Sequence, residues 1–142
     1  MSGLVCVDAS LAAKWVLPED GSEQASEFYM EQRSADTTLI APAFMPVEVT
    51  NAIRRRVVRR LITASEAAQM LSRFSGFSVS LASPVELHQI ALTLAHRFDR
   101  PTVYDMHYVA LAQLAQCDLF TADRALLNSV AGVLTFVKPL AG

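Results

Sequence analysis

Four acidic side chains stand where they could meet in the folded protein and bind a cation. Asp8 directly follows the apolar run Leu4–Val7, and Asp123 follows a second apolar run near the C-terminal end. Glu48 and Asp105 each fall in the first turn of a predicted helix. Taken singly, each acid has an ordinary structural explanation, because acids commonly cap helices or oppose the helix dipole. Four carboxylates gathered at one place, however, would repel one another unless a cation neutralised them.

The ligands expected at such a site are oxygen atoms, which select a hard cation such as Mg²⁺, with Mn²⁺ as a substitute. His88 and His96 lie on one predicted helix at a spacing that does not suit a shared ion, and His107 should point elsewhere on its own helix. Cys6 and Cys117 lie in apolar surroundings without metal-ligand spacing, so we expect two free thiols.

Short apolar runs predict the strands that would position these acids. A continuous apolar run is typical of a strand buried on both faces, whereas an alternating run has one wetter face. The predicted strands cover residues 4–7, 38–41, 77–81, a segment at Leu119, and 133–137.

Helical patterns separate these runs. Thr63 and Glu66 fit a capping box, and Ser83 is followed by a proline and then an acid, which predicts another helix start. The segment 103–116 is apolar nearly all round, so its helix should be buried. The predicted helices run from a cap at Ser10 to residue 15, over 22–33, from about 47 past 60, over 63–74, 83–97 and 103–116, and from Asp123 onward.

Strands separated by one or two helices predict a parallel sheet covered by helices on both faces, that is, a three-layer α/β/α fold with a mainly parallel central sheet. Ligands of such sheets bind beyond the carboxyl ends of the strands. Asp8 and Asp123 would both project over that edge.

Length and composition favour a single domain over residues 1–142. The chain has 142 residues, of which 52% are hydrophobic, and this suits a compact aliphatic core. The formal charge of −2 means that the protein has no overall positive potential that would indicate binding to nucleic acid. Because the N-terminus lacks a basic leader and no run is long enough to span a bilayer, we expect a soluble cytoplasmic protein without membrane contact.

A basic segment lies next to the predicted metal site. Residues 54–60 hold five of the chain's twelve lysines and arginines. At helical spacing, Arg55 and Arg59 share a face with Glu48 and Asn51, so phosphates beside the ion could be gripped there. An ordinary solvated helix face explains the same residues equally well.

The motifs VDAS, KWVLPE, PVEVTNAI, PTVYDMHYVALA and LFTADRAL occur in this order from Leu4 to about Pro139. In order and spacing the sequence resembles a PIN domain and is most similar to the VapC ribonuclease toxins of bacterial toxin–antitoxin pairs. VDAS or TAD alone would be weak evidence, whereas the ordered set of four acids is fairly specific.

The resemblance implies a PIN-like α/β/α nuclease domain that hydrolyses RNA with Mg²⁺ or Mn²⁺. It also implies a VapB-like antitoxin as partner and a homodimer. Its acidic residues correspond here to Asp8, Glu48, Asp105 and Asp123, with polar support from Ser10, Asn51 and Thr121.

Two other classes of function remain open at this point. A phosphoryl-accepting receiver domain has a similar fold, and Lys138-Pro139 resembles its Lys-Pro pair, but the third strand lacks an aspartate acceptor. A non-catalytic module could use the acidic edge to bind a basic peptide, and metal-dependent cleavage would distinguish the enzyme from it.

Overall fold

The computed structural model describes residues 3–140 and contains a five-stranded sheet in which every pair of neighbouring strands is parallel. The strand order is β3-β2-β1-β4-β5. The strands are β1 (Leu4–Val7), β2 (Thr38–Ala41), β3 (Ser80–Leu81), β4 (Asp118–Thr121) and β5 (Val137–Pro139).

Seven helices of the described segment connect and cover these strands. The helix that carries Asp105 is buried over most of its length, as its apolar sequence predicts. None of the helices within residues 3–140 is long and apolar enough to cross a membrane. The helices are α1 (Ala9–Ala13), α2 (Ser22–Ser34), α3 (Met45–Val58), α4 (Ala64–Phe74), α5 (Leu87–Arg97), α6 (Tyr104–Ala115) and α7 (Arg124–Val130).

The helices lie on both faces of the sheet. Cys6 of β1 donates its thiol hydrogen to the carbonyl of Tyr108 in α6 at 3.6 Å. Phe28 of α2 packs on Phe120 of β4, with ring centroids 4.9 Å apart. Phe120 lies in register with Val7, the residue next to Cys6. Because successive strand side chains point to opposite faces, α6 and α2 cover opposite sides, and the predicted three-layer fold is confirmed.

The strand order reverses direction at β1. From β1 the chain first adds β2 and then β3 on one side, and it later returns to add β4 and β5 on the other. Ligands of open parallel sheets bind at such a reversal, where the loops from two neighbouring strand ends diverge. Here the two neighbours are β1 and β4, the strands that end just before Asp8 and Asp123.

Several predicted boundaries are confirmed. The runs 4–7 and 38–41 are strands with the predicted bounds. Thr63 and Glu66 form both hydrogen bonds of the capping box, at 3.1 and 2.8 Å. Cys6 and Cys117 are free thiols, and Cys6 is buried.

Two strands and two helix starts differ from the prediction. The third strand is only Ser80–Leu81, because Phe77 instead stacks on Trp15 at 4.8 Å. The last strand begins at Val137, because the backbone N–H groups of Val133 and Leu134 close a turn on Val130. The predicted strand over residues 133–137 therefore lies too early in the chain.

The helix predicted at Ser83 begins at Leu87. The Ser83 hydroxyl is not a cap, because it accepts a hydrogen bond from the backbone of Ala43 at 3.1 Å. Ser10 lies inside α1, whose N-cap is Asp8. An aspartate one position ahead of the helix reaches the free N–H groups more directly than a residue already within it.

Candidate functional site

The four acids share one cleft at the carboxyl edge of the sheet. The cleft has a volume of about 570 Å³, and its walls come from the β1–α1 and β4–α7 junctions, from α3, and from the start of α6. The predicted supporting residues Ser10 and Asn51 and the basic residues Arg55 and Arg59 line it as well. The four predicted carboxylates that line it are Asp8, Glu48, Asp105 and Asp123. A fifth carboxylate, Glu19, lines it as well and is paired with Lys14 and Arg56.

Asp8 is buried at the base of the cleft and held by three donors. Its Oδ1 accepts from the Ser10 hydroxyl at 2.8 Å and from the backbone N–H of Leu11 at 3.0 Å. Its Oδ2 accepts from the hydroxyl of Thr121. Asp8 thus caps α1 while its carboxylate is fixed between β1 and β4.

Burial raises the pKa of Asp8 from 3.8 to about 6. The three hydrogen bonds favour the charged form and lower this pKa, whereas the negative charge of Asp123 raises it further. The cost of removing the carboxylate from water is therefore the dominant influence. A cation at this position would relieve both the burial cost and the repulsion from Asp123.

Thr121 joins the two strand-end acids. Its buried hydroxyl donates to Asp8 and accepts from the backbone N–H of Asp123 at 2.9 Å. Ser10 lies 3.3 Å from the same hydroxyl and accepts from the N–H of Ala122 at 3.1 Å. Ser10 and Thr121 are therefore in direct contact with Asp8, whereas Asn51 lines the cleft.

Thr121→Val should destabilise the fold by about 1–3 kcal/mol, because valine keeps the shape but leaves an oxygen of Asp8 and the N–H of Asp123 without a partner. Thr121→Ser keeps the hydroxyl and should cost about 1 kcal/mol for the lost methyl group. Urea unfolding at neutral pH measures both variants. Equal midpoints for the two would show that the hydroxyl contributes nothing.

Asp123 has both a structural role and a place in the cleft. Its Oδ1 accepts from the backbone N–H of Leu126 at 3.1 Å, which caps α7 as the sequence predicts. Its side chain also lines the cleft beside Asp8. Capping uses Oδ1 and leaves Oδ2 for another partner.

Glu48, in the first turn of α3, is held by a tyrosine of α6. The Tyr108 hydroxyl donates to Glu48 Oε1 at 2.5 Å. Burial, and then the bond to Glu48, raise the pKa of Tyr108 far above its ordinary value of 10.0, so it stays protonated as a donor. Tyr108 comes one helical turn after Asp105 on α6, so it lines the same cleft.

Asp105 is paired with an arginine that precedes α6. Arg100 Nε and Nη2 lie 2.9 and 2.7 Å from Asp105 Oδ2. The other oxygen, Oδ1, is buried and has no hydrogen-bond partner within residues 3–140. A buried carboxylate oxygen without a donor is unfavourable, so this atom fits a cation ligand.

The donor set of the cleft suits a hard cation. A carboxylate offers about four lone-pair sites, and the contacts recorded within residues 3–140 use three on Asp8, two on Asp105, and one each on Glu48 and Asp123. Within that described part, however, no three His, Cys, Asp or Glu side chains are close enough together to hold one ion. The ligand chemistry fits Mg²⁺, whereas the side chains as they stand do not form a closed cage.

A model of the family described as "PIN domain" matches residues 5–133. The chain belongs to the PIN-domain family. Ribonuclease VapC3 of Pyrobaculum aerophilum is 33% identical to this PIN domain over 133 residues, which cover 91% of the chain and 96% of the relative. Ribonuclease VapC12 of Mycobacterium tuberculosis is 31% identical over 128 residues, covering 89% and 92%.

The crystal structure of PAE2754 from Pyrobaculum aerophilum matches this PIN domain with a TM-score of 0.63 and 25% identity, covering 94% of the chain and 91% of that structure. The predicted resemblance to PIN domains and to VapC proteins is therefore confirmed. The receiver-like alternative loses its support, because Lys138 pairs with Asp118 at the surface and does not line the cleft.

Sequence reasoning missed two residues whose side chains contact the predicted acids of the PIN-domain cleft, Arg100 and Tyr108. Arg100 lies only five residues before Asp105, so a pair between them could be suspected from the sequence. Whether the side chain of Arg100 reaches Asp105 depends on how the backbone leaves the end of α5. Tyr108 contacts Glu48 across 60 positions of sequence, so no local pattern reveals the pair. The three histidines, all within residues 3–140, are outside the cleft lining, and His88 hydrogen-bonds His107 at 3.0 Å.

Proposed function

We propose that this PIN-domain protein is a Mg²⁺-dependent endoribonuclease, a hydrolase that acts as the toxin of a type II toxin–antitoxin pair. One observation carries the proposal: the four predicted acids line a single cleft that also contains basic residues of α3. The names of the two VapC ribonuclease relatives support RNA as substrate and a VapB-like antitoxin as partner. A homodimer in the cytoplasm belongs to the same proposal.

In the proposed mechanism, Asp8 and Asp105 are direct metal ligands, and Glu48 and Asp123 complete the cluster or orient the attacking water. Bound Mg²⁺ would polarise the phosphodiester and supply a nucleophilic water at neutral pH. Thr121 and Ser10 hold Asp8 in place during the reaction.

Arg55 and Arg59 would bind phosphates of the RNA on one side of the scissile bond. Both side chains are exposed and line the cleft, Arg55 within α3 and Arg59 at its C-cap, one and two turns beyond Asn51. No ion pair is recorded for either arginine within the described residues 3–140, whereas neighbouring Arg56 binds Glu19 at 2.5 Å. Arg55 and Arg59 are therefore available to a nucleic acid, while Arg56 fastens α3 to the end of the α1–α2 connection.

Arg55→Gln and Arg59→Gln should each weaken RNA binding a few-fold and lower the slope of log affinity against log salt by about 0.7, because each removes one phosphate contact. Arg54→Gln is the matched control, because Arg54 is exposed on the same helix but does not line the cleft. Fluorescence anisotropy at several salt concentrations measures both quantities. Equal losses for all three variants would mean that only overall charge matters.

The experiment that tests the function sequences RNA ends in cells soon after induction of the protein. New ends should accumulate at defined positions with the wild type, and they should be absent with Asp105→Asn expressed at the same level. If both proteins give the same ends, or neither gives any while the wild type is folded, the nuclease proposal fails. In that second case, binding of a basic peptide at the acidic cleft becomes the function to test.

A further inference from the structure

The backbone of Arg100 is held in place at the end of α5. Its N–H donates to the carbonyl of Ala95 at 2.8 Å, and the preceding residue, Asp99, has the left-handed φ of 52°. These contacts end α5, and Pro101 follows directly, so the backbone of Arg100 has little freedom. Any change in the position of its charge must come from the side chain.

The guanidinium holds Asp105 by one oxygen alone. Nε and Nη2 both bind Oδ2, whereas a strong guanidinium–carboxylate pair usually engages both oxygens in parallel. Oδ1 of the same carboxylate stays buried without a donor. Because Arg100 also lines the cleft, its remaining N–H groups are within reach of a ligand there.

We propose that Arg100 is an exchangeable cation that neutralises Asp105 in the metal-free protein and transfers its guanidinium to an RNA phosphate when Asp105 binds the metal. This inference rests on the proposed function. It assigns Arg100 a second ligand, the phosphodiester group, within the cleft that Arg100 lines.

Charge makes the two partners of Asp105 competitors. A guanidinium and a divalent cation on one carboxylate repel each other strongly in a partly buried site. A phosphodiester in the cleft offers the guanidinium its two non-bridging oxygens for a bidentate contact, in place of the single Asp105 oxygen. RNA and metal should therefore each strengthen the binding of the other, because the coupling between two ligands is reciprocal.

The competing explanation is a fixed ion pair that joins the end of α5 to the start of α6. Such a pair would contribute to stability but would not link metal binding to RNA binding. A second competing explanation is that Arg100 permanently orients Asp105 for the metal, in which case its removal would weaken metal binding.

Four proteins separate these explanations: the wild type, Arg100→Gln, Arg100→Lys, and Arg97→Gln. Arg97 is the exposed last residue of α5 and does not line the cleft. Its variant therefore removes one positive charge without affecting the contact with Asp105. Free Mn²⁺ is measured by electron paramagnetic resonance during titration, alone and with a short single-stranded RNA. The RNA is one that stays intact during the titration, as checked on a gel, and thermal melting confirms that each variant is folded.

Without RNA, Arg100→Gln should bind Mn²⁺ about tenfold more tightly than the wild type, because a competing charge is gone. With RNA, the wild type should gain about fivefold in Mn²⁺ affinity, and Arg100→Gln should gain less than about twofold. With Mn²⁺ bound, Arg100→Gln should bind RNA several-fold more weakly than the wild type, and in EDTA this loss should be smaller, because Arg100 of the metal-free wild type is held by Asp105. Arg100→Lys should keep most of the coupling, and Arg97→Gln should behave as the wild type.

Weaker Mn²⁺ binding by Arg100→Gln would overturn the exchange in favour of a permanent orienting role. Unchanged Mn²⁺ binding and unchanged coupling would overturn it in favour of a fixed ion pair. A wild type that cuts RNA with Mn²⁺ while Arg100→Gln behaves identically would leave the proposed function standing and reject the exchange alone. A wild type that neither binds Mn²⁺ nor cuts RNA would remove both.

Discussion

Asp8→Asn should lower RNA cleavage in the presence of Mg²⁺ by about 10³-fold or more, because it removes a carboxylate that we propose as a metal ligand, and such a ligand contributes several kcal/mol to transition-state stabilisation. The fold should survive. The asparagine oxygen can still accept from Leu11, and its amide can donate to Thr121. Cleavage of a defined RNA at saturating Mg²⁺ measures the effect, and wild type in excess EDTA gives the level expected of an inactive protein.

The same substitution should make the metal-free protein more stable above pH 6. Asp8 is buried as a charged group beside Asp123, and asparagine removes that charge while keeping the volume. Loss of activity with gain of stability would identify Asp8 as a residue retained for its chemistry. A variant that loses activity and also unfolds more easily than the wild type would contradict this account.

The free energy of unfolding of the metal-free wild type should fall relative to Asp8→Asn as pH rises from about 4 to about 7. Between its unfolded pKa of 3.8 and its folded pKa of about 6, Asp8 binds more protons in the native state than in the unfolded state. Stability therefore decreases with pH across this window. The rise in pKa corresponds to about 3 kcal/mol at most once both states are ionised.

Urea unfolding in EDTA at a series of pH values measures this effect. Taking the difference between the wild type and Asp8→Asn removes the contributions of other acids. Millimolar Mg²⁺ should raise the stability of the wild type and abolish the difference above pH 6, because a ligand that binds only the native state stabilises it. A wild-type curve parallel to that of Asp8→Asn at every pH would show that Asp8 titrates normally.

The central strands and the positions of the acidic residues were predictable from local sequence. The edge strands, and the side chains that contact the acids, were predictable only in part. Residues 4–7 and 39–41 are apolar runs in the middle of the sheet, and their later residues, from Cys6 and Leu39 onward, are buried, so pattern and environment agree. The edge strands were misplaced because their residues had competing partners, such as Trp15 for Phe77. A short edge strand has only one neighbour, so such a contact readily shortens it.

The placement of Asp8 and Asp123 followed from the rule that parallel strands end at the same edge, and Glu48 and Asp105 were expected there from their places in the first turns of α3 and α6. The groups that hold them did not follow from any rule of sequence spacing. The bond from Tyr108 to Glu48 depends on how α6 and α3 pack against the sheet, and this is set by the whole core. The ion pair between Arg100 and Asp105 likewise followed from no sequence rule.

Asp8 and Asp123 each cap a helix as well as line the cleft, and this double use constrains how such a protein can evolve. Replacement by alanine would remove a helix cap together with the carboxylate and would weaken the fold around the site. Asparagine keeps the capping oxygen and deletes only the charge. A single substitution of aspartate by asparagine should therefore give an inactive relative that still folds and binds its partners. Among relatives that have lost the activity, we expect asparagine at these two positions more often than alanine.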